Sequence, residues 1–444
     1  MKGKRILSIV STVAMVVPLA ACGNNTASTP GSAGNAASTT TTKAASGGSS
    51  SSASTELSFY MWSDEEGIMT KLAKAYEEEH PNISINLQYA SSNDYATKLT
   101  TVLGGGGNID GFGISSPPGL AEYVDKGVVL PLDDLISSTG ADLSGIQGTL
   151  DTIKIDGKTY GLPYKTSSWV VYYNKDIFDA AGVAYPSDDW TWEDYYELAG
   201  KLTSGSGDSK IYGSLNFQPT SMWWRVPANT KGSTNPIDDT QLHDWMLAAQ
   251  FCKSMSDAGY QPEYADMAND AGADYTGNFL QGKYAMFYTG DWEIEMLNTA
   301  IANGEGNVNY DIAAIPHYEG QPAQTIGAPG LMMVAKESKH PEETFDFIKF
   351  CTGAEGSKIL LENDYFPAWQ DDSTKQIYCE NKTSPEHINY IVDQKIISQV
   401  PCDAQYNTAQ NIVKEEVSLY LLGEQDLETT EANCKKRISE EVKK

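Results

Sequence analysis

ELSFYMWSDEEGIMTKLAKAYEEEHPNISINLQYA, residues 56–90, contains two kinds of hydrophobic periodicity. In residues 57–61 and 83–89, apolar side chains alternate with polar or smaller ones, which is the pattern of a half-buried strand. In residues 68–76, between them, the apolar side chains recur at helical spacing. A strand, a helix and a second strand in so short a segment predict a βαβ unit with parallel strands, and hence an α/β fold.

The sequence also predicts where the helix of this unit begins and ends. Ser63 and Glu66 have the spacing of a capping box, with Ser63 as the N-cap and Glu66 at the third helical position. Pro81 stops the helix, because a proline has no amide hydrogen to continue the ladder.

Strand and helix patterns continue to alternate along the chain. We predict further strands in residues 169–173, 284–288, 311–315 and 331–335, and helices in residues 93–103, 191–202 and 341–352. Thr191 is the predicted N-cap of its helix, and Gly353 is the predicted stop after the helix that begins at Pro341. Asp156 and Gly157 predict a two-residue hairpin turn.

The N-terminus has the pattern of an export signal. Basic residues within the first five positions precede an apolar run at 6–19, which is shorter than the about 20 residues of a membrane-spanning helix. Residues 19–23 (LAACG) then place small residues before Cys22, which resembles the lipobox of bacterial lipoproteins. The resemblance implies that residues 1–22 are a lipoprotein signal peptide and that Cys22 is lipidated. The alternative is an ordinary cleavage site that happens to end in a cysteine.

The segment after this signal has a different composition from the rest of the chain. Residues 23–55 contain a single charge, Lys43, and no large apolar side chain. Such a Ser-, Thr- and Gly-rich segment buries too little surface to offset its ordering entropy, so we predict a disordered tether. Residues 56–444 are then the folded body, and no segment of them has the about 18 consecutive apolar residues of a membrane span.

The negative net charge of the chain argues against a nucleic-acid partner. The chain carries 31 Lys and Arg against 59 Asp and Glu, which gives a formal net charge of −28. A field of this sign repels phosphate backbones, so we predict no nucleic-acid partner. With only five histidines and no metal-ligand spacing, the sequence predicts no metal site, and it contains no cofactor motif.

The sequence carries no motif of a known catalytic chemistry. The four glycines at 104–107 lack the lysine of a phosphate loop and follow a helix rather than a strand. No G-x-S-x-G, H-E-x-x-H or EF-hand spacing occurs, so no catalytic residue is predicted. A glycosidase pair of carboxylates stays open, because a chain with this many acids contains such pairs by chance.

Five cysteines remain after Cys22, and an odd number cannot form a complete disulfide framework. Cys252 and Cys351 lie in apolar helical patterns and are predicted to be buried thiols. A disulfide between Cys379 and Cys402 is left open.

Aromatic residues stand next to acids or an arginine at four predicted strand ends or loop edges. These groups are Trp62 with Asp64 and Glu65, Trp223 and Trp224 with Arg225, Trp292 with Asp291, and Trp369 in its loop. In open α/β sheets, ligands bind beyond the carboxyl ends of strands, where Trp62 and Trp292 are predicted to lie. A tryptophan face packs on a sugar ring while polar side chains bond the hydroxyls, so the groups indicate an uncharged polar ligand. For each tryptophan alone, the alternative is a place in the core.

Several blocks of the body resemble the extracellular solute-binding proteins of sugar ABC importers, in the maltose and multiple-sugar group. The blocks are residues 160–164 (YGLPY), 172–178 (YYNKDIF), 190–193 (WTWE), 279–286 (FLQGKYAM), 290–292 (GDW) and 338–350 (SKHPEETFDFIKF). The resemblance implies a two-lobed, periplasmic-binding-protein-like α/β fold with a hinge between the lobes and a ligand cleft at their interface. It implies a first lobe of residues 56–165 and 313–352 and a second lobe of residues 166–312 and 353–444.

The resemblance also implies which residues line the cleft. They are Trp62, Asp64, Glu65, Asp110, Ser115 and Ser116 from the first lobe, Tyr164 and Lys165 at the hinge, and Trp223, Trp224, Arg225, Asp291, Trp292 and Trp369 from the second lobe. The chain departs from the family pattern at two places. Ile109 replaces the proline before Asp110, and two serines stand where other members have charged ligand contacts.

The function that the resemblance implies is binding rather than catalysis. The protein is expected to capture a carbohydrate, an oligosaccharide, and to deliver it to the permease subunits of an ABC importer. A lipid on Cys22 is expected to hold it, as a monomer, at the extracellular face of the cytoplasmic membrane of a Gram-positive bacterium. Two alternatives stay open, which are a binding protein for another polar solute and a surface carbohydrate-active enzyme.

Overall fold

The computed structural model describes residues 54–442, apart from 93, 106–107, 217–221, 270–273 and 381–383. The predicted signal peptide 1–22, the predicted lipidation site Cys22 and residues 23–53 of the predicted tether lie outside the described residues. All described residues belong to one compact unit, Ser52–Lys444.

The described residues form ten strands. They are β1 Thr55–Trp62, β2 Ile83–Ala90, β3 Gly111–Ile114, β4 Leu162–Lys165, β5 Trp169–Asn174, β6 Met286–Gly290, β7 Tyr310–Ala313, β8 Thr325–Gly327, β9 Gly330–Val334 and β10 Ile396–Ser398. The six predicted strands are all present, with ends that differ by at most two residues from the predicted ones.

Eighteen α-helices are described. They are α1 Glu66–Glu79, α2 Tyr95–Gly104, α3 Pro117–Asp125, α4 Asp133–Thr139, α5 Gln147–Leu150, α6 Lys175–Ala181, α7 Trp192–Leu202, α8 Val226–Thr230, α9 Asp239–Asp257, α10 Tyr264–Asn269, α11 Tyr275–Leu280, α12 Trp292–Ala302, α13 Pro341–Thr352, α14 Ala354–Leu361, α15 Asp372–Glu380, α16 Tyr390–Asp393, α17 Tyr406–Leu421 and α18 Leu427–Glu441. None of these described helices combines the length and the apolar character needed to cross a membrane.

The first sheet contains five strands in the order β2-β1-β3-β9-β4. β1 is parallel to β2 along its whole length, so the predicted βαβ unit is confirmed. β1 is also parallel to β3, which places the carboxyl ends of these three strands at one edge. β9 is antiparallel to both of its neighbours. Helices cover this sheet and bury a first core, in which Phe59 packs edge-on against Phe347.

The second sheet is antiparallel, with the order β6-β5-β7, and a short parallel pair joins β8 to β10. A second core forms around this sheet from the aromatic side chains of β5 and β6 and of α7 and α9. Trp190 and Trp245 are its largest fully buried side chains. The two cores are the two lobes of a mixed α/β fold.

Three segments of chain run between the cores, and they contact one another. The first joins β4 to β5, the second joins β8 to β9, and the third follows α14. The backbone amide of Thr166 donates to the carbonyl of Phe366 at 3.0 Å. The amide of Ala328 donates to Oγ of Ser167 at 3.1 Å. These bonds gather the three crossings into one narrow hinge.

The packing places two of the crossings later than the predicted boundaries. β7 pairs with β5, and Ile326 packs in the second core, so the chain does not leave the second lobe at residue 313. Leu360 and Ala368 pack in the first core, so the first lobe does not end at residue 352. We therefore place the second crossing near 327–330 and the third between Leu360 and Tyr378, since Ala368 and Trp369 still pack in the first core and Tyr378 packs in the second.

The N-terminal ends of α7 and α1 test the predicted helix caps. Thr191 is the N-cap of α7, as predicted, and it forms a capping box with Asp194, whose Oδ2 accepts from the amide of Thr191 at 2.8 Å. The predicted capping box at 63–66 is wrong. A 3₁₀ turn follows β1, and α1 begins at Glu66 with no side-chain cap. The turn instead buries the side chain of Glu65.

The remaining local predictions are confirmed. α1 ends before Pro81, and α13 begins at Pro341 and ends at Gly353. Asp156 and Gly157 have φ angles of 50° and 74°, as a tight hairpin turn between antiparallel segments requires.

The five described cysteines are free thiols. Cys252 and Cys351 are buried, as predicted. The pairing of Cys379 with Cys402 does not form, because Cys379 packs against the second core and Cys402 against the first. Sγ of Cys402 lies 3.5 Å from the carbonyl oxygen of Pro117.

Candidate functional site

The first wall of the candidate site lies at the carboxyl end of β1. Glu65 is only 3% exposed, and its carboxylate accepts the Tyr164 hydroxyl at 2.9 Å and forms an ion pair with Lys165. Nζ of Lys165 lies 5.7 Å from the ring centre of Trp62 and 5.2 Å from that of Tyr365. These aromatic rings and charged groups lie within one small surface. We call this surface the first wall, and it consists of Trp62, Glu65, Tyr164, Lys165 and Tyr365, with Asp64 beside them.

The ion pair explains why the wall has a fixed shape. A buried carboxylate needs partners for its oxygens, and removing one partner of such a pair destabilises a protein strongly. Glu65 belongs to the turn after β1, whereas Tyr164 and Lys165 end β4 at the far side of the sheet. Asp64, beside Glu65, is exposed and accepts a hydrogen bond from the Ser92 hydroxyl.

The second wall lies where β6 passes into α12, and it consists of Gly290, Asp291 and Trp292, with Glu295 one turn further along α12. Trp292 is 41% exposed, and its ring meets the buried Trp169 edge-on at 5.7 Å. A methyl group at Gly290 would lie 2.0 Å from the Trp292 ring, so the ring covers the backbone of that glycine. Oδ1 of Asp291 accepts the amide of Ser168 at 3.0 Å, which ties the start of α12 to the hinge.

Tyr365, on the third crossing, connects the two walls. Its pKa is raised, first by burial and then by the charges of Glu65, Glu295 and Asp64. Glu65 and Asp64 belong to the first wall, and Glu295 lies on α12 beside Trp292. The Tyr365 hydroxyl is therefore influenced by acids of both walls.

Asp110, a predicted cleft residue, lies elsewhere. It is 1% exposed at the amino end of β3, whereas Trp62 is at the carboxyl end of the parallel β1. Its oxygens accept the backbone amide of Ser58 at 2.9 Å and the hydroxyl of Ser338 at 2.7 Å. Those bonds join strand β1 to the segment after β9, so Asp110 is a structural residue.

Trp223 and Trp224 are also buried, which corrects their prediction as cleft contacts. Trp223 packs edge-on against Tyr275 at 5.0 Å and against Trp169 at 6.0 Å, so it lies behind the second wall. Trp224 meets Trp245 at 6.0 Å, in the centre of the second core. Their short helical turn carries the rings inward rather than toward the hinge.

Arg225 and Trp369 belong to the interior as well. The Arg225 guanidinium is buried, donates to Oε1 of Gln410 at 2.6 Å and also bonds the Tyr406 hydroxyl. The ring of Trp369 packs over Gly145 in the first core, and its indole nitrogen donates to Asp371 at 2.8 Å. Neither side chain lies in the walls.

The sequence profile of the family described as "bacterial extracellular solute-binding protein" matches residues 62–358. The chain belongs to this family. Such proteins are the solute-binding components of ABC transporters and act outside the cytoplasmic membrane.

Solved relatives share this two-lobed architecture. A sugar transporter of Rhizobium etli in an open conformation aligns with a TM-score of 0.78 and 25% identity, over 86% of this chain and 99% of that chain. An ABC substrate-binding protein of Listeria monocytogenes in complex with cycloalternan aligns with a TM-score of 0.74 and 26% identity, over 87% and 98%. The sn-glycerol-3-phosphate-binding periplasmic protein UgpB of Brucella melitensis is 26% identical over 425 residues, which is 87% of this chain and 92% of the relative.

In this solute-binding protein, Ser115 and Ser116 follow β3 at the same sheet edge as Trp62. Ser115 is exposed and Ser116 is half-buried, so both keep their predicted positions at this edge. Sequence reasoning missed Tyr365 as part of the first wall and Trp169 as the buried ring behind Trp292. The signals were available, because Trp169 begins a predicted strand and Tyr365 precedes Phe366 in an aromatic loop.

Unused hydrogen-bonding capacity is concentrated behind the second wall. Seven buried side-chain polar atoms lack a partner among the described residues. Five of them belong to the second core and its hinge-facing edge: Ser168 Oγ, Trp169 Nε1, Asn216 Nδ2, Thr289 Oγ1 and Glu293 Oε2. Because buried polar groups normally have partners, this end of the lobe is suited to polar contacts.

One group of possible metal ligands lies outside the walls, at Asp311, Glu386 and His387. Oδ1 of Asp311 already accepts the amides of Ile312 at 2.9 Å and of His387 at 3.0 Å. Oδ2 contacts Nδ1 of His387 at 2.6 Å. This network uses the carboxylate to fasten the end of β7, and we assign no metal to it.

Proposed function

We propose that this solute-binding protein captures an oligosaccharide between the first and second walls and delivers it to the permease subunits of an ABC importer. The exposed Trp292 ring carries the proposal, and the group of Trp62, Glu65 and Lys165 at the end of β1 and β4 supports it from the other lobe. The Listeria relative, whose structure contains cycloalternan, supports a carbohydrate as the ligand class.

The chemistry of the walls suits a sugar. A tryptophan that is 41% exposed leaves apolar surface in water, and the apolar face of a pyranose ring covers such a surface. Asp64, Asp291 and Lys165 are charged groups close to the rings, and charged groups form strong hydrogen bonds with hydroxyls. The aromatic rings thus contact the apolar face of a sugar unit, and the charged groups bond its hydroxyls.

Another polar solute is the second candidate, since the UgpB relative is named for glycerol 3-phosphate. The charges of the walls disfavour a phosphate. Four acids, Asp64, Glu65, Asp291 and Glu295, stand against the single cation Lys165, which is already paired with Glu65. A dianionic headgroup would be repelled at this surface, whereas an uncharged sugar would not.

The proposal excludes catalysis at this site. Glu65 is held by Tyr164 and Lys165, so it is not available as a free nucleophile or acid. Incubation with a glycan panel should therefore yield no cleavage product. A new reducing end or a transferred sugar would instead support the carbohydrate-active enzyme.

We further propose that the mature protein is a monomeric lipoprotein of a Gram-positive bacterium. The lipobox around Cys22 and the low-complexity composition of residues 23–55 support a lipid anchor and a flexible tether. The anchor would keep the binding lobes at the extracellular face of the cytoplasmic membrane, close to the permease.

A thermal-shift screen tests the choice of ligand. The full chain is heated with mono- and oligosaccharides and, in parallel, with glycerol 3-phosphate. A solute at 100 times its Kd stabilises the folded state by about 2.7 kcal/mol, which is readily measured. We expect stabilisation by at least one oligosaccharide and none by glycerol 3-phosphate. The reverse pattern would establish the second candidate.

A further inference from the structure

Glu293, the second residue of α12, is a buried carboxyl next to the exposed Trp292. It is 0% exposed, and Oε1 accepts the Thr276 hydroxyl of α11 at 2.8 Å. Oε2 has no partner among the described residues. The carboxyl therefore joins α11 to α12 directly behind the second wall, through Thr276 and the neighbouring Tyr275 hydroxyl.

Tyr275 connects this carboxyl to the wall. Its pKa is raised by burial and by the neighbouring Glu293, and it is lowered by a hydrogen bond with Trp292. The Tyr275 hydroxyl thus lies near both residues, between the buried carboxyl and the indole. Tyr275 also packs against Trp223, so it cannot move without disturbing the core.

Burial disfavours a negative charge on this carboxyl, whereas hydrogen bonds from the Thr276 and Tyr275 hydroxyls favour it. Burial is the largest cause that raises the pKa of Glu293, to about 8, and the charge of Asp274 adds to it. The titratable groups that face it are Asp274 and Tyr275 beside and on α11, Tyr172 on β5, Tyr310 on β7 and Asp291 before its own helix. None of these groups is a cation, so an ionised Glu293 has no counter-charge among them.

We propose that Glu293 is a positioning residue of the solute site, whose neutral carboxyl holds α11 against α12 and thereby fixes the ring of Trp292. On ionisation, the carboxyl loses its proton to solvent. The buried anion then needs water, and the contact between the two helices loosens. The effect on solute affinity rests on the proposed function, but the effect on Trp292 does not.

Fluorine NMR on the full chain labelled with 5-fluorotryptophan tests the positioning directly, without a solute. Loss of one of the nine tryptophan signals in Trp292→Phe assigns the resonance of Trp292. We expect this resonance to shift between pH 6.5 and 9.5 in the wild type and to stay constant in Glu293→Gln. Glu295→Gln, an acid on the same helix, is the matched control and should titrate like the wild type.

Tyr275→Phe provides a second variant in case Glu293→Gln does not fold. It keeps the carboxyl but removes the hydroxyl between Glu293 and Trp292, so the shift of the Trp292 resonance should shrink. A wild-type resonance that is constant over this pH range would overturn the proposal. So would an unchanged titration in Glu293→Gln.

Calorimetric titration with maltotriose, mannotriose and cycloalternan then links the positioning to binding. A group with a pKa of about 8 is neutral in about a tenth of the molecules at pH 9, so Kd should rise about tenfold from its value near neutral pH. Glu293→Gln should show no such rise. If no saccharide binds, the oligosaccharide proposal fails, and the NMR result alone decides the role of Glu293. A Kd that is independent of pH alongside a titrating Trp292 would overturn the link to binding.

Discussion

At the scale of single residues, exposure sets Trp292 apart, because it is 41% exposed, whereas Trp62 in the first wall is 8% exposed and packs edge-on against Tyr95. For Trp292→Ala, we expect a loss of about 2 kcal/mol of binding free energy, or about 30-fold in Kd. The unfolding midpoint without solute should hardly move, because much of the ring is already in water. Calorimetry with the saccharide that gives the largest thermal shift, and denaturant unfolding, measure the two effects.

Trp224→Ala is the matched control, because its ring is buried against Trp245. Truncating a core tryptophan costs about 3–5 kcal/mol of unfolding free energy. Normal solute affinity is expected in the fraction that remains folded. A stable Trp292→Ala protein with unchanged affinity would remove Trp292 from the site.

Glu293 gives the stability of the protein a pH dependence of known sign. Its pKa in the folded state is about 8, against an ordinary value of 4.5, so the folded state holds this proton more tightly than the unfolded chain. The contribution is complete below pH 4.5 and is lost as the pH rises through 8. Relative to Glu293→Gln, the unfolding free energy of the wild type should fall by up to roughly 5 kcal/mol across this window. Denaturant titrations at pH 5, 7 and 9 check this, and parallel curves for both proteins would contradict it.

The sequence could predict only part of the site at this scale. Periodicity places Trp62 and Trp292 at strand ends, and both lie there. The same reasoning failed for Asp110 and Arg225, because a charged residue near a strand or an aromatic pair can satisfy its hydrogen bonds inside the lobe. The partners that decided the outcome, Ser338 and Gln410, are far away in the sequence.

At the scale of elements, the turn from β6 to α12 sets the position of the second wall. A methyl group at Gly290 would collide with the Trp292 ring, which is the movable partner. For Gly290→Ala, we therefore expect weaker solute binding with little change in stability. Gly67→Ala in α1, where a methyl group meets no atom within 4 Å, is the control and should bind normally. Equal affinities of the two variants, measured by calorimetry, would show that the Trp292 ring position is unimportant.

The start of a helix could be predicted from the sequence where only neighbouring residues determine its N-cap. The capping box of α7 forms between Thr191 and Asp194, which are three residues apart and need no distant partner for it. The same rule failed at Ser63, since burial of Glu65 beside Tyr164 and Lys165 imposes a 3₁₀ turn there. Long-range partners at the hinge thus overrode a local preference.

At the scale of the whole molecule, sequence blocks predicted two lobes but not where the chain crosses between them. The crossings are defined by backbone bonds between distant segments, such as Thr166 to Phe366, which no local pattern encodes. β2 was predictable because its alternation reports one buried face, whereas β5, β6, β7 and β9 are buried throughout and correspond to short apolar runs. Which sheet β7 joins depends instead on tertiary pairing with β5.

The N-terminal prediction also belongs to this scale. Cys22→Ala should move the protein from the membrane fraction to the precursor or the medium, because it removes the only proposed attachment. A shortened protein of residues 56–444 should keep full solute affinity, since both walls lie within it. Fractionation with immunoblotting, and calorimetry, measure the two results. A shortened protein that unfolds or no longer binds would show that residues 23–55 contribute to the fold.

The arrangement of two walls about a narrow hinge predicts a change of shape on binding. A solute that contacts both walls gains its second set of contacts only when the lobes approach, so it shifts the population toward a closed form. The three crossings connect the two lobes, so we expect the chain to bend there. Small-angle scattering of the full chain should therefore show a smaller radius of gyration at saturating saccharide.

Trp292→Ala supplies the control for this closure. With one wall weakened, the same saccharide concentration should leave more molecules open, and the radius of gyration should stay nearer to the value without solute. Raising the saccharide in proportion to the loss of affinity should restore the closed value, because the hinge itself is unchanged. An unaltered radius in the wild type with bound saccharide would contradict the hinge mechanism. It would indicate a solute held by one wall or by a rigid pocket, and the opposed positions of Trp62 and Trp292 would then need another explanation.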